Sequence, residues 1–253
     1  MTTSQRRMRI FDIIQDNKSV EVNNLAKMFS VSTMTIRRDL AIFEKQGLIT
    51  TNYGGAYLNQ GTSVDASFSL KSGQRIETKR AIGYEASKLV EDGDTIIMDC
   101  GTTVLQMAKY LQDKRITIIT NSWVLVNYFR SNSRVTLILA PGEYKENQAG
   151  VISDMTMRFF ETFNVDKTFL GTQGLELERG ATVADFTECN IKRTMLQAGK
   201  VKILLADHNK LGQTFLVKQA DVDEFDYIVT DNQSDPTYLQ RIRDLGVTVY
   251  VAE

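Results

Sequence analysis

Seven short runs of apolar and β-branched residues, interleaved with segments of helical periodicity, fill the chain from about residue 79 to its end. The runs cover 95–99, 116–120, 135–139, 167–170, 201–206, 227–230 and 248–251. The helical patterns lie at 79–90, 104–111, 123–129, 155–163, 190–198 and 238–245. Strand and helix in alternation imply a mostly parallel sheet covered by helices, because parallel neighbours need a crossover and the crossover covers the sheet. The expectation is therefore a Rossmann-like α/β unit over 76–253. No apolar run approaches the roughly 18 residues of a membrane span, and the polar, basic start at residues 1–9 lacks the apolar segment of a secretory signal. Two cysteines, Cys100 and Cys189, are too few for a disulfide framework. A soluble, cytoplasmic protein is expected.

The first 60 residues have a different character. The 253-residue chain has a net charge of −1, but residues 1–60 carry eight Lys/Arg and five Asp/Glu, a net of +3, which leaves −4 for the remainder. Met8, Ile10, Phe11 and Ile14 recur at helical spacing over 6–16, and Leu25, Met28 and Phe29 mark a second helix at 22–29. After the turn Ser30-Val31-Ser32, Ser32 is suited to cap a third helix reaching about residue 46, whose Ile36, Leu40 and Phe43 face inward. Gly47 suits its C-terminus. Two short strands around Gly54-Gly55 complete a winged helix-turn-helix over 1–57. Asn59-Gln60-Gly61-Thr62-Ser63 has no large apolar residue, and 58–75 reads as a linker.

Two helices joined by a three-residue turn can place the later one in the major groove of DNA. Ser32, Thr33, Met34 and Thr35 then approach base edges. Arg37 and Arg38 diverge by about 100°, so one faces the groove and the other reaches a phosphate. Asp39 is expected to brace one of these two guanidinium groups. A protein-interaction module with a solvated Arg-Arg-Asp face is the alternative. A head of +3 is a weak DNA ligand alone, so two or more heads are expected to act together in a homodimer or homotetramer.

In the body, Asp99-Cys100-Gly101-Thr102-Thr103 follows a strand and opens a helix, and Thr120-Asn121-Ser122 repeats the arrangement. Backbone N–H groups, hydroxyls and a helix dipole there suit a phosphate or carboxylate, at the strand ends where open α/β sheets collect ligands. The plainer reading makes Thr102 and Ser122 mere helix caps. Lys79, Asp185, Glu188 and the run Asp207-His208-Asn209-Lys210 can converge on the same place. His208 is the only histidine, which excludes a multi-histidine metal site. Cys100 reads as a small filler. No cofactor, metal or catalytic residue is assigned.

Leu25-Ala26, Val31-Ser32, Thr35-Ile36-Arg37-Arg38-Asp39-Leu40, Gly47-Leu48 and Gly54-Gly55-Ala56 resemble the winged helix-turn-helix of the DeoR family of bacterial transcriptional regulators. Where that family usually has a basic residue and a histidine in the wing, this chain has Thr51 and Tyr53, which shifts binding onto Arg37 and Arg38; Tyr53 and Gly54 remain the wing's contacts. Residues 68–253 are similar to the DeoR-type sensor domain, whose fold is like that of sugar-phosphate isomerases and CoA transferases. The resemblance implies a phosphorylated sugar held by Lys79, Asp99, Gly101, Thr102, Thr103, Thr120, Asn121, Ser122, Glu188, Asp207 and Lys210. The family's usual glycine pair is replaced within Ala140-Pro141-Gly142-Glu143-Tyr144, where Pro141 removes a donor. The implied function is a repressor that binds double-stranded operator DNA of a sugar-catabolism operon. The alternatives are an isomerase-like enzyme with Asp99 or Glu188 as base and Lys210 as stabiliser, and a DNA-binding protein without an effector.

Overall fold

Ile10, Phe11 and Ile14 fall one turn apart, and all three are buried on one face of helix α1 (Thr3–Asn17). Strand β1 (Ser19–Glu21) leads into α2 (Val22–Phe29), and after the tight turn α3 (Thr33–Lys45) starts from a Ser32 cap whose hydroxyl accepts from Thr35 N–H at 3.1 Å. The cap satisfies an N–H that the helix cannot pair internally. Gly47, at φ +70°, turns the chain out of α3 into β2 (Ile49–Thr51) and β3 (Gly55–Leu58). The three strands form an antiparallel sheet in the order β1-β3-β2. Gly55 is required there: a Cβ would lie 2.1 Å from the Val20 carbonyl oxygen. Phe11 and Phe43 pack at 5.2 Å between ring centroids within a core that also holds Leu25, Ile36, Leu40 and Leu48.

This computed structural model describes residues 1–59 and 68–253. The chain divides into a unit of Met1–Arg75 and a unit of Ile76–Glu253. The expected linker, 58–75, is described at its two ends. Residues 60–63 lie outside the described residues, but 58–75 is not linker throughout. Leu58 ends β3, and helix α4 (Phe68–Gly73) buries Leu70 in the first unit's core. Gln74 Nε2 donates to Gln15 Oε1 at 3.0 Å. Leu70 alone gives no periodic signal, yet it finds an apolar surface to cover.

The second unit runs in order through α5 (Ile76–Ser87), β4 (Thr95–Met98), β5 (Ile116–Thr120), α6 (Trp123–Phe129), β6 (Val135–Leu139), β7 (Tyr144–Lys145), β8 (Gly150–Val151) and α7 (Asp154–Phe160). It continues through β9 (Val165–Gly171), β10 (Gly174–Glu176), β11 (Gly180–Val183), α8 (Phe186–Ala198), β12 (Gly199–Leu205), β13 (Val217–Ala220), β14 (Tyr227–Asp231), α9 (Pro236–Asp244) and β15 (Thr248–Ala252). The seven expected strands form one fully parallel sheet, β15-β14-β12-β9-β4-β5-β6. Alternate residues feed a core on each face: Ile97, Ile119, Leu170 and Leu204 on one, Ile96, Met98, Ile118 and Phe169 on the other. Double-sided burial explains why these strands read as continuous apolar runs. The helix expected at 104–111 is a 3-10 helix, Val104–Tyr110, because α5 presses on it; a Cβ on Gly83 would meet the Gln106 backbone at 2.7 Å.

The chain order reverses between β4 and β9. From β4 it steps outward to β5 and β6; from β9 it steps the other way to β12, β14 and β15. The loops that leave the carboxyl ends of β4 and β9 therefore diverge, and a crevice opens between them.

Candidate functional site

The first unit presents α3 and the wing. Thr33, Met34, Arg37 and Arg38 are exposed, Met34 to 57%. Ser32 and Thr35 are joined by their hydroxyls at 2.9 Å, so each keeps only part of its hydrogen-bonding capacity for a base edge. The wing tip is an Asx turn: Asn52 Oδ1 accepts from the N–H groups of Gly54 and Gly55 at 3.1 and 2.7 Å. The turn leaves the Tyr53 side chain wholly exposed. Arg37 Nη2 donates to the Tyr53 carbonyl oxygen at 3.1 Å, tying the reading helix to the wing. Thr51 is committed to Glu44 Oε1 through its hydroxyl and its N–H, at 2.6 and 2.9 Å, and these bonds hold the Glu44 carboxyl below the usual range.

Asp39 departs from the sequence expectation. It braces neither Arg37 nor Arg38. Its buried carboxylate accepts from Arg6 Nε and Arg7 Nε, both at 2.7 Å, and so fastens α1 to α3. The reason is helical geometry: Asp39 lies on the inward face with Ile36, Leu40 and Phe43, away from the exposed arginines. Two of the eight basic residues within 1–60 thus serve the fold.

In the second unit, Asp99 sits at the reversal. Its Oδ1 accepts from Gly101 N–H at 2.6 Å, and its Oδ2 accepts from Gly171 N–H, at the end of β9, at 2.8 Å. Lys192 of α8 donates to the same Oδ2 and to the Gly171 carbonyl oxygen at 3.0 Å, with Glu188 Oε1 at 3.6 Å. Burial lowers the Lys192 pKa, but the carboxylates of Asp99 and Glu188 more than offset that and hold it above the ordinary lysine range. Gln148 Nε2 donates to the other Glu188 oxygen at 2.8 Å. The buried acids are thus paired and bonded, as charges away from water must be. Asp99 has no oxygen left idle to act as a base.

This cluster shapes the turn 99–103. Asp99 and Gly101 turn the chain out of β4, and Thr102 and Thr103 follow at the mouth of the crevice. Neither threonine's hydroxyl nor its backbone N–H has a partner among the described residues. Four donors left unpaired at a switch point suit an anion. The second expected copy behaves differently. Thr120 Oγ1 donates to the Met98 carbonyl oxygen at 2.6 Å and accepts from Ser122 N–H at 3.0 Å, while Ser122 caps α6. Both side chains are engaged in the fold; Ser122 is the helix cap of the plainer reading, whereas Thr102 caps no helix through its side chain. Asn121 lies between them, buried, donating to the Val151 carbonyl oxygen at 3.1 Å, with its own Oδ1 unpartnered.

Asp207 is buried after β12 and caps the 3-10 helix His208–Lys210 through Asn209 N–H at 3.1 Å; Lys210 is half-buried. His208 is held by Asp231, with Nδ1 2.7 Å from Oδ2. Asp99, Gly101–Thr103, Thr120–Ser122, Asp207 and Lys210 therefore all lie on loops leaving the carboxyl edge of the sheet. Glu188 reaches that edge through Lys192. Lys79 is buried on α5, one turn before Gly83 and on the face that packs on the 3-10 helix. A cleft of about 540 Å³ lined by Glu143, Gln148, Asp154 and Asp185 opens beside the buried acids. Lys192 and Gln148 were not expected from the sequence. The spacing of four between Glu188 and Lys192 was the available signal.

A helix-and-wing surface on one unit and a switch-point crevice lined by unpaired donors on the other define a DNA-binding protein of the sensor type. The DeoR-like helix-turn-helix domain model matches residues 6–62, and the DeoR C terminal sensor domain model matches residues 74–232. The chain is 31% identical over 98% of its length to the HTH-type transcriptional regulator YulB of Bacillus subtilis, covering 96% of that protein. It is 31% identical to the putative aga operon transcriptional repressor of Escherichia coli O157:H7, over 98% of this chain and 93% of that one. The HTH-type transcriptional repressor GlcR of B. subtilis is 30% identical over 100% of this chain and 98% of its own. Among solved structures, ribose 5-phosphate isomerase A from Methanocaldococcus jannaschii is similar at a TM-score of 0.40 and 16% identity, over 55% of each chain. The chain belongs to the DeoR family of helix-turn-helix regulators. It is a transcriptional regulator and not an enzyme, and the isomerase alternative falls with that.

Proposed function

We propose that the protein is a repressor of a sugar-catabolism operon whose affinity for double-stranded operator DNA is set by a phosphorylated sugar in the second unit. The supporting observation is the turn 99–103, where the N–H groups and hydroxyls of Thr102 and Thr103 stay unpaired while the acids behind them are fully paired. Phosphate offers three acceptor oxygens to such donors. Asp99 and Lys192 hold the turn in shape rather than meeting the ligand. Asn121, Glu188, Asp207, Lys210 and Lys79 surround it from neighbouring elements. Ser32, Thr33, Met34, Thr35, Arg37, Arg38, Tyr53 and Gly54 form the DNA face.

Among the described residues no helix is long and apolar enough to cross a membrane, which fits a cytoplasmic repressor. Its first unit has a net charge of only a few units, so two or more copies engage repeated half-sites together, as a homodimer or homotetramer. The effector shifts DNA affinity only as far as it prefers one arrangement of the assembly over another. The test is a melting-temperature screen against sugar monophosphates, followed by operator binding with each ligand that stabilises the protein. Thr102→Ala is expected to abolish the response while operator binding without ligand is retained. Loss of both would point to misfolding, and an unchanged response would refute the assignment.

A further inference from the structure

Beyond the carboxyl ends of β5 and β9, the two strands that flank β4, stand two buried amides, each with an idle atom. On the β5 side, Asn121 is 1% exposed; its Nδ2 donates to Val151 O, which fixes the orientation of the amide, and its Oδ1 accepts from nothing. On the β9 side stands Gln173, two residues beyond the Gly171 that binds Asp99, and 7% exposed. Its Oε1 accepts from Ala184 N–H at 2.6 Å, at the junction of β11 with α8, which fixes this amide too. Its Nε2 donates to nothing. A buried donor and a buried acceptor without partners are each costly, so a ligand that answers both gains from each, and these two stand at the strand ends on either side of β4.

We propose that Gln173 is a further effector-recognition residue, its Nε2 donating to an oxygen of the sugar while Asn121 Oδ1 accepts from a sugar hydroxyl. The inference rests on the effector reading above and sharpens it. Inorganic phosphate satisfies the threonine donors but cannot span the flanking pair. β9 and β5 stand on either side of β4 in the sheet order, two strand spacings apart, about 9.6 Å. That is roughly the length of a phosphorylated sugar or polyol lying across the turn. Hydroxyls are the groups able to serve both flanks, since each can donate and accept. The ligand class is therefore a polyhydroxylated monophosphate rather than a bare anion or an apolar ester. Both idle atoms are enclosed, so a ligand that meets them favours an arrangement in which they are open, and binding can be sensed through that preference.

The test compares binding of inorganic phosphate with that of triose, pentose and hexose monophosphates and their matching polyol phosphates, by calorimetry on the full chain. Wild-type protein is expected to bind at least one sugar or polyol phosphate more tightly than phosphate. Gln173→Met removes the donor at similar volume and is expected to reduce that preference about tenfold, with phosphate binding unchanged. Gln173→Glu keeps the acceptor for Ala184 N–H and is likewise expected to lose the preference; its buried carboxyl lowers the melting temperature, so a melt of each variant establishes that it is folded at the assay temperature. A preference undiminished in both variants overturns the role of Gln173 and leaves the effector reading standing. If wild-type protein binds none of these compounds, both fall.

Discussion

Asp39→Ala tests what the invariant geometry of a helix does to an apparent DNA contact. The Asp39 side chain is 2% exposed, and its partners Arg6 and Arg7 are 11% and 35% exposed, each 2.7 Å away. Breaking a buried pair leaves an uncompensated charge and costs about 3–5 kcal/mol; the Arg7 arm, partly in water, accounts for less than about 1 kcal/mol. A loss of about 3–4 kcal/mol is comparable to the whole stability expected of a unit this small. With about 4–8 °C per kcal/mol for such a unit, its melting should fall by about 12–30 °C. The assay is a melt of the full chain followed by circular dichroism, with limited proteolysis to show which unit opens. The unit Met1–Arg75 should become protease-sensitive and lose DNA binding while the unit Ile76–Glu253 melts as before. Asp39→Asn, which keeps an acceptor, should cost about half as much. If instead DNA affinity fell with the first transition shifted by less than about 3 °C, Asp39 would be acting on the DNA face, and the clamp would be refuted.

Lys192→Met should destabilise the second unit by about 3–5 kcal/mol, because Asp99 and Glu188 would be buried without a cation; Asp99→Asn in the same chain should recover part of it, and no recovery would deny the pairing. Because Lys192 is held above the ordinary lysine range, its contribution is fully present below that range and is lost only as pH climbs through the raised value. Wild-type stability should therefore show no Lys192-dependent loss between about pH 7 and 10, and a loss there that vanishes in Lys192→Met would contradict the assignment. Gln219 is 2% exposed with both amide atoms unpartnered. Gln219→Met should stabilise by about 1–3 kcal/mol, and a lower melting temperature would imply a partner for that amide. Arg37→Ala should weaken binding to all DNA sequences and reduce the salt slope by about 1. An unchanged slope would remove Arg37 from the phosphate contacts.

The seven-stranded sheet was legible because its strands are buried on both faces and so read as unbroken apolar runs. Helix α2 matched its expected bounds because a strong apolar stripe is closed by Ser30 in a left-handed conformation. Apart from the two around Gly54-Gly55, the short strands were not legible. β1 has three residues, and Ser19 and Glu21 carry no apolar signal; only the backbone ladder to β3 makes it a strand. The small sheet β10-β11-β13 is likewise made of three- and four-residue strands containing glycine, lysine and glutamine. At the site, the residues of the 99–103 turn were readable because strand, glycine and hydroxyls are contiguous. Lys192 was not, because beside Arg193 it looks like a solvated face. Its burial follows from the docking of α8 on β9 and β11, a tertiary fact. Thr120 and Ser122 illustrate the converse: local sequence marks them as donors, and the fold consumes both.

The most direct measurement is the affinity of the full-length protein for DNA that it selects from a random pool. It should be made with and without the sugar monophosphate that most raises the protein's melting temperature. A coupling of about 1–3 kcal/mol predicts a change of about 5- to 150-fold, removed by Thr102→Ala. An affinity that stays constant across the whole panel of sugar phosphates would contradict the account.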